Sequence, residues 1–164
     1  MLSSTMVEKL NTQITLEMYS SNIYLQMGSW CESKGLNGAA SFLYAHAKEE
    51  LDHMRKLFSY VNETGAMAII GTIDKPDDEF ESIREIFEIT LNHEKMITKS
   101  INDLVAIALT EKDFSTFNFL QWYVSEQHEE EMLFKNILDK IDIIGMEGRG
   151  LYMIDKEIGA IAHQ

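Results

Sequence analysis

The sequence predicts an all-α protein, a four-helix bundle with one long crossover and a short fifth helix at the C-terminal end. The 164 residues include one proline and nine glycines, which leaves long uninterrupted stretches of helix composition. Hydrophobic residues make up 45% of the chain, and a chain of this length suits one domain over residues 1–164. The links between the predicted helices are short, long and short in turn, which is typical of a bundle with one crossover.

The first two predicted helices form an antiparallel hairpin. The first helix covers about residues 5–33, begins at the capping box Thr5-Met-Val-Glu8 and ends at the KGLNG turn. The second helix covers about residues 37–64 and stops at Gly65. The link between them is short, so we expect the two helices to run in opposite directions.

The second pair follows a connection that reads AMAIIGTIDKPDDEF. The third predicted helix covers about residues 80–110, and the fourth runs from near Phe114 to near Gly145, with Asp113 or Ser115 as its N-cap. The connection of about 15 residues is long enough to cross from one end of a bundle to the other. We therefore expect an up-down-down-up order, followed by a short helix over about residues 150–162.

Charge and composition narrow the classes of partner. The formal net charge is −13, so nucleic acid and anionic membranes are poor partners and cations are good ones. Cys31 is the only cysteine, so no intrachain disulfide is possible, which fits a reducing compartment such as the cytoplasm. The first residues have no apolar signal region, and no apolar run approaches the length of a membrane span.

Polar side chains interrupt the inward apolar stripe of each long predicted helix near its middle. The spacing from Glu17 to Glu50 equals that from Glu94 to Gln127, and the two halves repeat with an offset of 77 residues. In antiparallel hairpins of this length, the interruptions meet at one level of the bundle. They are Glu17 on the first helix, Glu50 and His53 on the second, Glu94 on the third, and Gln127 and Glu130 on the fourth.

Each of these groups alone has an ordinary interpretation, a solvated glutamate or a satisfied histidine. Together they do not, because four buried carboxylates repel one another and lose hydration unless protons or cations neutralise them. Two divalent ions would cancel their charge. One Glu from each of two helices plus Glu-x-x-His from the others is a di-iron pattern, in which Gln127-x-x-Glu130 here replaces the second motif. Oxygen ligands with one imidazole suit iron or manganese and accept zinc.

Further carboxylates lie beside this set. Glu126 and Glu129 share a face of the fourth helix, and Glu49 points about 100° around the second helix from Glu50. They form either a solvated acidic face or a third metal site just outside the pair.

At these residues the sequence resembles the ferritins, and most closely the non-haem bacterial ferritins. The resemblance covers essentially the whole chain. The strings that carry it are NTQITLEMYSSNIYLQM, AHAKEELDHM, LNHEKMITKSIN, FNFLQWYVSEQHEEE and GLYMIDKE.

The resemblance implies a hollow homo-oligomeric shell of about 24 subunits that stores iron. It assigns the first iron to Glu17, Glu50 and His53, and the second to Glu50, Glu94 and Glu130, with Gln127 beside it as a weak ligand or orienting partner. It assigns a third iron to Glu49, Glu126, Glu129 and Glu130. Tyr24, on the same stripe as Glu17, is either core packing or a redox-active phenol in the family's sense.

The implied activity is a ferroxidase: Fe(II) is oxidised by O2 or peroxide and is stored as a ferric oxyhydroxide mineral. Haem-binding relatives carry a methionine directly after the glutamate of the Glu-x-x-His motif. Leu51 stands at that position here, so we expect no haem.

Three alternative functions occur on the same type of helical bundle. Another di-iron enzyme of the rubrerythrin type would bring a cysteine-rich iron domain, which a single cysteine cannot build. A DNA-protecting mini-ferritin would have ligands at a subunit interface and often a basic tail, whereas the tail GAIAHQ has no Lys or Arg. A purely structural shell subunit would lack the buried carboxylates.

Overall fold

A computed structural model describes residues 2–161 as five α-helices, with no strand in that range. The helices are α1 (Ser4–Ser33), α2 (Asn37–Glu63), α3 (Ile83–Thr110), α4 (Phe114–Ile144) and α5 (Arg149–Ile161). The predicted all-α bundle with a short fifth helix is confirmed. Residue 162, which we predicted to end the fifth helix, lies outside the described residues.

Two predicted helix starts are wrong by one turn or less. Ser3, and not Thr5, caps α1: its hydroxyl accepts a hydrogen bond from the Met6 backbone N–H at 3.0 Å. Either hydroxyl can cap a helix, and capping at Ser3 lets the helix begin two residues earlier than capping at Thr5 would. The third helix begins at Ile83 and not near residue 80, because the Ser82 hydroxyl accepts from the Glu85 N–H at 3.1 Å.

The start of α4 was predicted correctly. The Asp113 carboxylate accepts hydrogen bonds from the Thr116 backbone N–H at 3.0 Å and from the Thr116 hydroxyl at 2.5 Å. One side chain therefore satisfies an unpaired donor of the first turn and fixes a threonine that is itself buried.

Hydrogen bonds between helices establish the direction of each one. On α1 and α3, Gln13 pairs with Ser100 and Ser20 pairs with His93, so the residue numbers run in opposite directions. The same opposite order holds between α2 and α4, in the pairs His46–Glu130 and Tyr60–Thr116. The helices α2 and α3 are consequently parallel, which is the up-down-down-up order expected from the long middle link.

The crossover, residues 64–82, runs along α1. Asn11 Oδ1 accepts from the Ile69 N–H at 2.9 Å, and Thr15 Oγ1 accepts from the Gly71 N–H at 2.8 Å. These two side chains lie one helical turn apart on α1 and bind the extended backbone as a strand partner would. The crossover is thus held against the bundle by α1 rather than left as a free loop.

The apolar core divides into two clusters. One, at the end that holds the α1–α2 turn, includes Tyr24, Leu43, Phe87 and Phe134. The other, at the opposite end, includes Leu10, Leu57, Ile101 and Leu120. Fully burying each such side chain stabilises the folded state by roughly 1.5–3 kcal/mol, so each end of the bundle has an apolar core of its own. The layer between the clusters is polar.

The helices of this bundle are apolar on one stripe only. Among residues 2–161 no helix has the length and apolar character to cross a membrane.

Helix α5 packs on α2 and α4 and supplies a cap that α2 lacks. Leu36, at the N-cap position of α2, offers no side-chain hydrogen bond. The Asp155 carboxylate accepts instead from the N–H groups of Gly38 and Ala39, at 3.1 and 2.8 Å. A Cβ at Gly38 would lie only 2.0 Å from the Asp155 carbonyl oxygen, so only glycine permits this contact. The buried side chains of Ile154 and Ile158 hold α5 in place.

We expect Asp155→Ala to loosen the first turn of α2, because two backbone donors lose their acceptor. Losing a helix cap costs about 1 kcal/mol, or roughly fivefold in a local opening equilibrium. Hydrogen–deuterium exchange at residues 37–41 should therefore accelerate by about that factor. Lys156→Ala, at the exposed neighbouring position, is the matched control. Equal exchange in both variants would contradict the capping role.

Candidate metal centre

The polar layer between the two clusters contains the six side chains that the sequence predicted there. Their exposed fractions are all 6% or less. They are Glu17, Glu50, His53, Glu94, Gln127 and Glu130. In α-helices such depth is rare for Asp or Glu, so the layer needs a chemical explanation.

The ligand atoms of Glu17, Glu50 and His53 all lie within 4.8 Å of one another. Glu50 Oε2 is 3.4 Å from His53 Nδ1, across one turn of α2. The three side chains belong to one hairpin, α1 and α2, so their arrangement depends on the packing of only two helices. Two carboxylates and an imidazole at this separation can share one cation.

Glu17 has one oxygen engaged and one free. Gln13 Nε2 donates to Oε1 at 2.7 Å, and Ser100 Oγ donates to the Gln13 amide oxygen at 2.5 Å, which fixes the amide. Glu17 Oε2 is the one buried side-chain nitrogen or oxygen atom of residues 2–161 found without a hydrogen-bond partner. A buried, unpaired carboxylate oxygen costs several kcal/mol, which a bound cation would offset.

Glu94 accepts hydrogen bonds from two helices. The Tyr24 hydroxyl donates to Oε1, and Gln127 Nε2 donates to Oε2 at 2.9 Å. Gln127 Nε2 also lies 3.3 Å from the Glu94 carbonyl oxygen, which can only accept. The amide nitrogen of Gln127 therefore faces Glu94, and Gln127 acts here as an orienting donor of the kind predicted beside the second iron.

Gln127 and Gln13 have the same role from different positions: Gln13 is on the same helix as its carboxylate, whereas Gln127 is on the neighbouring helix. Each donates its amide N–H to the carboxylate that its half contributes from the first helix of the hairpin, Glu94 or Glu17. Gln13 was not predicted as part of the layer. It is one turn before Glu17, and a polar residue at that spacing inside an apolar stripe is the signal that identifies it.

Glu130 forms a second group with two other side chains. Ligand atoms of His46, Glu49 and Glu130 lie within 4.8 Å of one another. His46 Nε2 is 2.9 Å from Glu130 Oε2, and His46 Nδ1 is 3.7 Å from Glu49 Oε2. His46 was missed in the sequence, although it precedes Glu50 by four residues and His53 by seven, the spacing of one helix face.

The remaining predicted residues line a cavity at the edge of the layer. This cavity of about 280 Å³ is bordered by His46, Glu49, Glu126, Glu129 and Glu130. Glu49 and Glu129 are exposed, whereas Glu126 is half-buried with Oε1 at 3.8 Å from His53 Nε2. Glu126 thus lies between the first group and the cavity.

Burial dominates the electrostatics of the layer. Burial and the nearby charge of Glu50 raise the pKa of Glu17 well above its usual value. Burial and the nearby charge of Glu94 likewise raise the pKa of Glu50 well above its usual value. Desolvation raises the pKa of Glu94 to about 7, against the opposing hydrogen bonds from Tyr24 and Gln127. In the metal-free protein these buried carboxyl groups therefore retain protons, which a bound cation would displace.

Two neighbouring aromatic residues surround His53. The Trp122 ring meets His53 edge-on with centroids 5.2 Å apart, and the Lys56 ammonium lies 3.4 Å from the centroid of the Trp122 ring. The Tyr123 hydroxyl donates to the His53 carbonyl oxygen at 2.8 Å. These contacts limit the movement of the imidazole and shield it from water.

Comparison with known proteins identifies relatives over almost the whole chain. Residues 7–144 match the family model described as a ferritin-like domain. A probable bacterial non-heme ferritin-like protein of Haemophilus influenzae is 55% identical over 162 residues, covering 99% of this chain and 98% of the relative. The bacterial non-heme ferritin of Campylobacter jejuni is also 55% identical, over 99% and 97% of the two chains.

Solved structures agree in fold. An open pore ferritin of the archaeon Archaeoglobus fulgidus superposes with a TM-score of 0.94 at 42% identity, covering 96% of both chains. A Chlorobium tepidum ferritin gives a TM-score of 0.87 at 53% identity, covering 96% of this chain and 97% of that one.

We expect the metal-free protein to lose stability as the pH rises from about 4.5 to about 7. The folded protein holds carboxyl protons in this range that the unfolded chain has already released, because the pKa of Glu94 is raised from 4.5 to about 7. Glu94 alone would contribute a decrease of about 3 kcal/mol in the free energy of unfolding. The free energy of unfolding is measured by denaturant unfolding at a series of pH values, with a chelator present to keep the protein metal-free.

Two variants serve as controls for this pH dependence. Glu17→Gln removes one of the buried carboxyl groups, so the stability should fall less steeply with pH. Glu8→Gln changes an exposed glutamate of the same helix and should leave the slope unaltered. A free energy of unfolding that rises with pH over this range would show that the layer is not protonated.

Proposed function

The chain belongs to the ferritin family of iron-storage proteins, and on that premise we propose that it is a ferroxidase with a dinuclear centre inside each subunit. The observation that carries the proposal is the buried layer, in which Glu17 Oε2 lacks a partner while Glu50 and His53 lie within ligand distance. Iron is the substrate: Fe(II) is oxidised to Fe(III), and O2 or peroxide accepts the electrons.

The two iron positions use the four carboxylates as follows. Glu17, Glu50 and His53 would hold the first Fe(II); Glu50, Glu94 and Glu130 would hold the second, so that Glu50 bridges. Four carboxylates carry a charge of −4 when ionised, which two divalent ions cancel. The centre is thus stable either with protons or with two ions, and binding iron releases the protons.

Two further side chains, Gln127 and Tyr24, prepare the second position. Gln127 holds Glu94 from one side by its amide N–H, and Tyr24 holds it from the other by its hydroxyl. Tyr24 is fully buried, so it also offers an electron close to the iron, with Glu94 placed to receive the phenol proton. The apolar clusters on both sides exclude bulk water from the layer.

The cavity bordered by Glu49, Glu126, Glu129 and Glu130 supports a third iron site. Glu130 belongs both to the second position and to this cavity, and Glu126 approaches His53. Ferric ion leaving the dinuclear centre would therefore meet carboxylates at once. We propose that these carboxylates hold Fe(III) temporarily, after its oxidation at the dinuclear centre and before its deposition in the mineral.

The surface supports assembly into a homo-oligomer. Large apolar side chains are exposed on the crossover and on α1, α4 and α5, more than isolated surface positions explain. They include Leu25, Met67, Ile69, Ile143, Tyr152 and Met153. We propose that copies of the chain cover these side chains in a hollow cytoplasmic shell of about 24 subunits, which stores ferric oxyhydroxide.

A structural shell subunit without oxidase activity is the alternative. Such a subunit would gain stability by replacing buried carboxylates with apolar side chains. This chain has all four buried carboxylates, and the amides of Gln13 and Gln127 donate to Glu17 and Glu94, which favours the ferroxidase.

Glu50→Ala should abolish rapid Fe(II) oxidation, because both iron positions lose their shared ligand. The measurement is stopped-flow absorbance after O2 is added to metal-free protein loaded anaerobically with two Fe(II) per subunit. We expect a rate at least a hundredfold below that of the parent chain, with the shell still assembled by size-exclusion chromatography. Glu63→Ala, at an exposed glutamate of the same helix, is the control. Parent-like kinetics in Glu50→Ala would refute the bridging role.

Tyr24→Phe should retain the packing of the core but lose the hydrogen bond to Glu94 and the electron source. During oxidation, freeze-quenched samples of the parent chain should give the electron paramagnetic resonance of a tyrosyl radical, and the variant should not. Tyr19→Phe, on the same helix but half-buried, is the matched control. A radical of equal intensity in Tyr24→Phe would assign it to another residue.

A further inference from the structure

We propose that Ser100 is a positioning residue for the first metal position and that it acts through Gln13. The inference rests on the proposed function in one respect, that Glu17, Glu50 and His53 bind a metal ion. Ser100 lies on α3, which contributes no ligand to that position. A hydroxyl of the second hairpin would thus set the affinity of a site whose ligands all belong to the first.

The hydroxyl of Ser100 donates away from its own helix. Serine and threonine hydroxyls within helices often donate to the carbonyl oxygen four residues earlier. Five hydroxyls of this chain do so, and they belong to Thr12, Thr15, Ser20, Thr90 and Thr110. Ser100 Oγ donates instead to Oε1 of Gln13 on α1, at 2.5 Å. This hydrogen bond therefore connects the two hairpins one turn from Glu17.

The side-chain amide of Gln13 is fully buried, so both of its ends need a partner. Its exposed fraction is 0%. Nε2 donates to Glu17 Oε1 at 2.7 Å, and Oε1 accepts from Ser100, the one donor to this oxygen among the hydrogen bonds of residues 2–161. A buried carbonyl oxygen without a donor is unfavourable. Ser100 therefore stabilises the orientation in which the amide N–H points toward Glu17.

The orientation of this amide decides what Glu17 meets. An ionised carboxylate only accepts hydrogen bonds, whereas an amide has donors at one end and an acceptor at the other. With the N–H toward it, Glu17 Oε1 is held, and Oε2 stays unpaired in the group with Glu50 and His53. With the carbonyl oxygen toward it, two acceptors would face each other and displace the carboxylate. The arrangement of the first position thus depends on a hydroxyl two hydrogen bonds away.

Glu94, the corresponding carboxylate of the second hairpin, is held differently. The Tyr24 hydroxyl donates to one of its oxygens and the Gln127 amide donates to the other. Neither donor is hydrogen-bonded to Ser100 in the described part of the chain. Removing the Ser100 hydroxyl should therefore affect the first position and spare the second.

The test is anomalous diffraction from crystals of the metal-free full chain equilibrated with increasing concentrations of Co²⁺. The occupancies of the cobalt peaks beside Glu17 and beside Glu94, followed against concentration, give the affinity of each position separately. We expect Ser100→Ala to weaken Co²⁺ binding at the first position by about ten- to a hundredfold, the usual effect of losing a supporting hydrogen bond, and to leave the second unchanged.

Three further variants isolate the role of the hydroxyl. Ser100→Thr retains it and should restore the affinity of the parent chain. Thr110→Val removes an exposed hydroxyl of the same helix, which donates to its own helix backbone, and is the matched control. Ser100→Ala combined with Gln13→Met should bind Co²⁺ no more weakly than Gln13→Met alone, because Ser100 acts through the amide.

Parent-like affinity of the first position in Ser100→Ala overturns the inference, as does an equal loss at both positions or a further loss on top of Gln13→Met. Metal-free crystals of Ser100→Ala should also show the Glu17 carboxylate displaced, a result that does not depend on metal binding. Cobalt binding that depends on Ser100, without accelerated Fe(II) oxidation, would support this inference while contradicting the ferroxidase proposal. Accelerated oxidation with parent-like cobalt binding in Ser100→Ala would do the reverse, so the two failures are distinguishable.

Discussion

The cost of removing four carboxylates from water is the constraint on which the rest of the structure depends. Glu17, Glu50, Glu94 and Glu130 are each 5% exposed or less, and an unpaired buried ion costs several kcal/mol. The bundle tolerates them because apolar clusters on both sides supply the burial energy that the layer does not. The layer itself needs protons or cations. The layer is therefore stable only when protons or bound cations neutralise its carboxylates.

The helical pattern of the sequence was sufficient to predict most of the fold and of the layer. Residues such as Glu17 and Glu50 are recognisable because a charge within an apolar stripe has few alternatives, and because the halves repeat at a constant offset. Helix ends were less predictable: Ser3 and Thr5 can both cap a helix, and only packing decides between them. The details of orientation, such as the amide of Gln127, depend on atoms of other helices and are absent from any periodicity.

The residues that sequence reasoning missed share one property. Gln13 and His46 are buried polar side chains that act on a recognised carboxylate rather than serving as obvious members of a motif. Each is one turn from a predicted ligand on the same helix face. Supporting residues of a buried centre are therefore best sought three or four positions from its ligands, among amides, hydroxyls and imidazoles that an apolar stripe would not otherwise include.

The crossover over residues 64–82 has a consequence for the order in which the protein folds. It separates two hairpins that can each form through contacts near in sequence, while their docking must close a longer loop and comes later. The residues proposed to hold the first iron all belong to the α1–α2 hairpin, whereas those proposed for the second come from both hairpins. On that proposal the first position could form in a half-formed bundle, whereas the second would need docking, so a bound pair of ions would mark a completed subunit.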